Sequence, residues 1–205
     1  MPVCFWNDHD GSRYFDAYFE KYDNVWTHGD FVVIHPVTKN LVFLGRADGV
    51  LNPSGVRFGS AEIYSVVNAG FPMVADSICV GQRRPGDQDE TVLLFLLMKP
   101  GERFTTRLVN DIKAAIRKQL SPRHVPKYIF ETPDIPVSLT RLVLEDTLLI
   151  LEQTTVNLKK VELPVKHIVS GRIIKPSGTL LNPKSLDYYY QFAKVEELVA
   201  KKSNL

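Results

Sequence analysis

Arg46 and Arg57 sit near the two ends of the segment Gly45-Arg46-Ala47-Asp48-Gly49-Val50-Leu51-Asn52-Pro53-Ser54-Gly55-Val56-Arg57-Phe58-Gly59. A guanidinium presents a planar fork of donors that matches phosphate oxygens, so both side chains are natural partners for a phosphorylated ligand. Four glycines and a proline in these 15 residues exclude a regular helix and make the segment a loop with an unusual backbone path. Upstream, Trp26-Thr27-His28-Gly29-Asp30 ends on a carboxylate, a two-oxygen acceptor that can take both protons of a vicinal diol. A Gly-Asp pair before a strand is equally an ordinary turn signal, and the residues alone leave both readings open. His124 has no carboxylate or cysteine at a recognisable catalytic spacing, so a structural role is expected of it.

These side chains need elements to position them. Phe31 to Ile34 and Leu41 to Leu44 are short apolar runs around a polar turn, which predicts two paired strands. Ile63, Val66 and Val67 share a helical face, Glu62 suits the positive end and Gly70 stops the run, predicting a helix from about 60 to 68. Strands are expected at Ser77 to Val80 and at Thr91 to Met98, the second apolar enough to lie at the centre of a sheet. Leu108, Ile112, Ala115, Ile116 and Leu120 recur at helical spacing over 106 to 120. Pro122 and Pro126 end that helix, and Lys127 to Glu131 suits another strand. Helices mixed with a few strands give an α+β fold. The N-terminal residues, rich in aromatics and turn formers, predict no first helix or strand and suit a chain entered in mid-domain.

Composition narrows the classes. A length of 205 residues with 44% apolar content suits one domain, or one domain plus part of another, with a packed core. Net charge is +2, too small a field to imply nucleic acid or an anionic membrane as partner, so any phosphate binding must be local. Cys4 and Cys79 are too few for a disulfide framework or a metal cluster, and the chain shows neither a signal-peptide pattern nor an apolar run of membrane-spanning length. A cytosolic protein is expected.

The segment Gly45 to Gly49 together with Gly55-Val56-Arg57-Phe58-Gly59-Ser60-Ala61-Glu62-Ile63-Tyr64 resembles the hinge motif of the adenylate-forming superfamily, which includes acyl-CoA synthetases, peptide-synthetase adenylation domains and luciferases. The variant Leu51-Asn52-Pro53-Ser54-Gly55-Val56-Arg57-Phe58-Gly59 is similar to the acetoacetyl-CoA synthetase branch, as are Ser121-Pro122-Arg123-His124-Val125-Pro126 and the tail around Asn182-Pro183-Lys184. The resemblance implies activation of acetoacetate by ATP, with Mg²⁺, followed by transfer to coenzyme A. It implies nucleotide binding by Asp30, Arg46 and Arg57, with Asp30 on the ribose hydroxyls. Gly55 and Arg117 would contact coenzyme A, although Arg117 also reads as a basic helix end that suits the dipole. Asp48 would be the hinge. Residues 1–47 would then close a large nucleotide-binding domain, and 48–205 would be the small C-terminal lid, a short mixed sheet flanked by helices. The phosphate loop and acyl pocket lie outside these residues, so the chain alone is expected to lack turnover without a separate large domain.

The family's adenylation lysine sits in a glycine-containing turn, where its ammonium compensates charge as two anions meet. Thr154-Thr155-Val156-Asn157-Leu158-Lys159-Lys160 matches that turn and assigns the role to Lys159, with Leu158 in place of glycine. Residues 137–153 form an atypical insert whose removal restores the family's spacing. It reads either as a retained intron or as an amphipathic helix using Leu142, Leu148, Leu149 and Leu151. A non-catalytic, mis-spliced or pseudoenzyme product is the alternative function.

Overall fold

The computed structural model describes residues 3–46, 50–140, 157–176, 178 and 180–203, with residues 31, 43–46, 139–140, 157–159 and 201–203 described by their backbone alone. Asp48 and the proposed helix positions Leu142 to Leu151 lie outside the described residues.

Against the expectation for the N-terminus, Ser12–Tyr18 form a short helix, α1, with no buried residue. Its signal is a cap rather than apolar periodicity. The Asp8 carboxylate accepts the backbone N–H groups of Arg13 at 3.1 Å and Tyr14 at 2.8 Å, satisfying donors that a helix start leaves open. The strands β1 (Asp30–Ile34) and β2 (Leu41–Arg46) follow as the expected antiparallel pair, with Asp30 opposite Arg46. Val32, Val33, Ile34, Leu41 and Val42 stay exposed, because a lone two-stranded ribbon cannot cover its own faces.

The glycine-rich segment leaves β2 and folds back through a 3₁₀ turn at Pro53–Gly55, closed by a bridge between Leu51 and Phe58. Leu51 and Phe58 are both buried, so the loop is fastened into the core at its two ends. Helix α2 (Ser60–Gly70) begins where Glu62 reaches back to accept the Gly59 N–H at 3.0 Å. Then come β3 (Val74–Gln82), β4 (Thr91–Met98), α3 (Thr106–Gln119), a 3₁₀ turn at Pro122–His124 and β5 (Tyr128–Glu131). Thr105 caps α3 by accepting the Leu108 N–H, while Arg117 and Lys118 occupy its last turn.

β4 is the centre of the mixed three-stranded sheet β3-β4-β5, antiparallel to β3 and parallel to β5. Its alternating residues serve two cores. Val92, Leu94 and Leu96 pack with Ile63, Val67, Ile112 and Ile116 under α2 and α3. Leu93 and Phe95 face the opposite way, toward Phe130, Ile168, Tyr189 and Phe192. Burial on both faces is why this strand is an unbroken apolar run. Each fully buried Leu or Phe contributes roughly 1.5–3 kcal/mol of transfer free energy.

The second core is closed by α4 (Glu162–Val169), a 3₁₀ segment at Pro183–Lys194 and α5 (Val195–Ser203). Between β5 and α4 lies a further antiparallel pair, β6 (Val137–Thr140) with β7 (Asn157–Lys160). The first four residues of the atypical insert are therefore a strand paired with the segment that carries Lys159, not the start of a helix. Leu158 pairs with Leu139 in extended backbone, so this position does not call on the left-handed conformation for which glycine is suited.

Candidate functional site

The cavity bounded by β1, the residues leading into it and the glycine-rich loop measures about 570 Å³. Asp30 lines one side and Arg57 the other. Arg46 is the direct cross-strand neighbour of Asp30, which brings the backbone of the third predicted nucleotide residue to the same end of the hairpin. Residues far apart in sequence thus meet because the hairpin returns the chain beside Asp30 and the Leu51–Phe58 bridge then folds Arg57 back toward it.

Asp30 is held from its own segment. The His28 Nδ1 lies 2.5 Å from the Asp30 carboxylate, and the indole of Trp26 meets the His28 ring edge to face at 5.1 Å. Gly29 between them has φ 79°, a left-handed backbone that suits glycine and lets His28 and Asp30 approach each other. The Thr27 N–H donates to the Tyr18 carbonyl at 2.7 Å, tying the strip to the end of α1. Arg57 is exposed and Lys21 lines the same cavity, so two cations and one carboxylate surround a space of ligand size.

The loop side is braced by acids. Ser54 adopts a left-handed φ of 51°, and Asp89 accepts from both its N–H at 2.6 Å and its hydroxyl at 2.7 Å. These bonds hold the Asp89 carboxyl below its ordinary range, since they favour the charged form. Asn52 donates its N–H to Glu90 at 2.8 Å. His124 is enclosed by neighbours from three segments: its Nδ1 lies 2.7 Å from the Ser121 hydroxyl, its Nε2 3.4 Å from Glu62, and its ring packs on Phe58 at 4.2 Å.

The remaining expected site residues are dispersed. Gly55 has φ 78°, and a Cβ there would meet nothing within 4 Å, so within this chain the glycine answers a conformational need rather than crowding. Arg117 is exposed on the last turn of α3 and does not line the cavity. Lys159 lies in β7 opposite Ser138, with its side chain outside the described residues, as is that of Arg46. Its neighbour Lys160 is anchored instead, pairing with Asp76, donating to the Ser77 carbonyl at 2.9 Å and lying 4.3 Å over the Tyr64 ring. Two residues on, Glu162 accepts from Ser60 at 2.8 Å and from Tyr64 at 2.6 Å. Burial and the nearby Glu162 charge push the Tyr64 phenol well above its usual range, and burial does the same to the Cys79 thiol.

The sequence reading missed Lys21, Tyr22, Thr27 and Asn52 as cavity residues. Thr27 and Asn52 lie within the motifs already singled out, which was the available signal. Lys21 and Tyr22 had none. Among the described residues, no group of three His, Cys, Asp or Glu side chains could hold a metal ion, and no helix is long and apolar enough to cross a membrane.

No family model matches the chain. An acetoacetyl-CoA synthetase of Rattus norvegicus is 46% identical over 197 residues, covering 96% of this chain and 26% of that protein. A malonamoyl-CoA synthetase of Penicillium aethiopicum is 44% identical over 185 residues, covering 89% of this chain and 23% of that protein. Among solved structures, an acetoacetyl-CoA synthetase from Streptomyces lividans superposes with a TM-score of 0.76 at 35% identity, covering 96% of this chain and 27% of that one. The chain thus spans about a quarter of the length of the proteins it matches.

Proposed function

Because the chain belongs to the acetoacetyl-CoA synthetase family, as a homologue of its C-terminal portion within the adenylate-forming superfamily, we propose that it serves as the closing part of an ATP-dependent acid–thiol ligase. The reaction is acetoacetate, ATP and coenzyme A going to acetoacetyl-CoA, AMP and diphosphate. The observation that carries this reading is the joint placement of Asp30 and Arg57 in one cavity, with Arg46 paired across from Asp30.

In this reading, the Asp30 carboxylate accepts the ribose hydroxyls, oriented by His28. Arg46 and Arg57 balance phosphate charge through charge-assisted hydrogen bonds, each worth about 1.5–3 kcal/mol where water is excluded. Lys159 brings its ammonium to the point where carboxylate and α-phosphate meet, and the anchors at Lys160 and Glu162 steady the strand that carries it. Gly55 admits the pantetheine arm and Arg117 takes the nucleotide end of coenzyme A. Asp48 is the hinge between a part ending at residue 47 and the lid that follows it. Mg²⁺ would arrive with ATP, held by the nucleotide's phosphates, as the described residues offer it no ligand cluster. A malonamoyl-CoA synthetase matches at nearly the same identity, and acetoacetate is the proposed acid because acetoacetyl-CoA synthetases from Rattus norvegicus and Caenorhabditis elegans match over 96% and 94% of the chain. A cytosolic setting is part of the proposal and accords with two free cysteines.

Turnover requires the large domain that these residues do not supply, so the isolated chain is inactive in this reading. Purified chain is mixed with ATP, acetoacetate and coenzyme A, with and without a separately produced large domain, and AMP release is followed. Turnover only with the large domain supports the proposal; turnover by the chain alone contradicts it. A non-catalytic product is the second reading, favoured by Leu158 in strand pairing where the family has glycine and by the residues inserted beside it. Failure of both mixtures would support that reading.

A further inference from the structure

β6 and β7 form a two-stranded ribbon whose members are held very unequally. β6 is fastened to the C-terminal segment: Val137 donates its N–H to Asn182 Oδ1 at 3.0 Å and accepts from the Leu181 N–H at 3.0 Å, and Ser138 bridges to Leu180. β7 is the outer strand, four residues long, with the sequence Asn-Leu-Lys-Lys. A short polar strand specifies its register weakly, and a slip of one residue exchanges the faces of all its side chains. In β7 such a slip would bring Lys160 opposite Ser138, where Lys159 now stands. Backbone bonds are indifferent to side-chain identity, and both residues end in the same ammonium. Something outside the ribbon has to tell them apart.

β3 and α2 supply it. Lys160 pairs with the Asp76 carboxylate, donates to the Ser77 carbonyl at 2.9 Å and lies 4.3 Å over the ring of Tyr64. Each partner is itself fixed. β3 carries a bulge between Val74 and Asp76, a feature that re-aims a strand's side chains, and the Asp76 carboxylate also accepts the Ser77 N–H at 2.8 Å. The Tyr64 hydroxyl accepts the Cys79 N–H at 2.8 Å and donates to Glu162 at 2.6 Å, which ties the ring beneath Lys160 to the start of α4. The side chains of Lys160 and Asp76 are 25% and 34% exposed, sheltered enough for solvent to screen the pair only in part. Because Lys160 ends β7, holding its ammonium fixes which residue of the strand stands at each pairing position.

Resting on the reading of Lys159 as the adenylation lysine, we infer that Asp76 is a positioning residue: by holding Lys160 against β3 and α2 it sets the register of β7, and so decides which of two consecutive lysines serves the adenylation step. Asp76 lines no part of the cavity and acts through Lys160.

The test uses the whole 205-residue chain mixed with the separately produced large domain. Adenylation is read as acetoacetate-dependent exchange of pyrophosphate into ATP, and thioester formation as AMP release when coenzyme A meets supplied acetoacetyl-adenylate. Asp76→Ala is expected to slow adenylation about a hundredfold, the scale set by an ångström's misplacement of a catalytic group, with the KM for ATP unchanged. Thioester formation should keep its wild-type rate. Lys159→Ala should remove nearly all adenylation, yet in the Asp76→Ala background the released Lys160 takes its place, so the double variant should exceed Lys159→Ala alone by about tenfold. Loss of packing cannot produce that gain. Asp76→Asn replaces alanine in both arms should the alanine variant misfold. Equal slowing of both half-reactions, wild-type adenylation in the Asp76 variants, or a double variant no faster than Lys159→Ala overturns the inference and leaves Lys159 as the adenylation lysine. If Lys159→Ala adenylates normally, or no mixture turns over, the ligase reading falls with it.

Discussion

Replacing Gly81 by alanine tests the buried Glu90 pair without touching a cavity residue. The new Cβ would stand 2.1 Å from the Glu90 carboxyl carbon and from Oε1, and 2.7 Å from Cγ. These separations force the side chain to move. Glu90 cannot move freely, because its two oxygens hold the Asn52 N–H at 2.8 Å and Lys166 at 3.3 Å in a site where Glu90 is 7% exposed at the side chain. Displacing it forfeits the Asn52 hydrogen bond to a charged group, worth roughly 1.5–3 kcal/mol, and parts the buried carboxylate from Lys166, so the expected loss of stability is about 3 kcal/mol. Alanine in place of a strand glycine would by itself gain roughly 0.5–1 kcal/mol, which sharpens the contrast. Urea denaturation measures the change, and the same substitution in a Glu90→Ala background isolates its cause. There the atoms that clash are gone, and Gly81→Ala should cost less than about 1 kcal/mol or stabilise. Equal cost in both backgrounds would refute the claim that Gly81 exists to seat Glu90.

Tyr64→Phe removes a hydroxyl that accepts from the Cys79 N–H at 2.8 Å and donates to Glu162 at 2.6 Å; a loss of about 2 kcal/mol is expected in urea unfolding, and none would show that α4 is not tied to α2 through this bond. Tyr64, Cys79 and Tyr189 all have raised pKa values in the fold, chiefly from burial. Each keeps its proton more tightly folded than unfolded, so their stabilisation is complete below the ordinary thiol and phenol range and is lost as pH climbs above about 9–10. Unfolding midpoints measured from pH 8 to 11 should fall, and a flat profile would contradict the burial of these groups. Gly55→Ala places a side chain at φ 78° in open space; strain alone predicts a cost of about 1–2 kcal/mol, and a stabilised variant would show that the loop takes another path. Arg57→Ala, at an exposed residue, should leave the unfolding midpoint within about 0.5 kcal/mol of wild type while lowering AMP affinity.

Local pattern was enough for much of the molecule. The unbroken apolar run of β4 required burial on both faces, the spacing of Leu108, Ile112 and Ile116 required one buried helical face, and both elements formed within a residue of the expected bounds. The glycines and arginines between 45 and 59 likewise announced a loop able to meet phosphate, because backbone freedom and guanidinium chemistry are properties of the residues themselves. The helix at Ser12–Tyr18 escaped notice since it buries nothing, and the pairing of Val137–Thr140 with Asn157–Lys160 escaped since a strand partner is not written in either segment.

Tertiary structure alone decided which distant groups would meet. Asn52 reaches Glu90 across 38 positions, Tyr64 reaches Glu162 across 98, and Gln82 donates to the carbonyls of Val169 and Phe192 across 87 and 110. Each such bond depends on the whole sheet having closed over both cores, and no residue's own preferences encode it. The same closure sets the cavity: Asp30 and Arg57 are a carboxylate and a cation in any conformation of this chain, but they line one space only because the β1–β2 hairpin and the Leu51–Phe58 bridge turn the backbone back on itself.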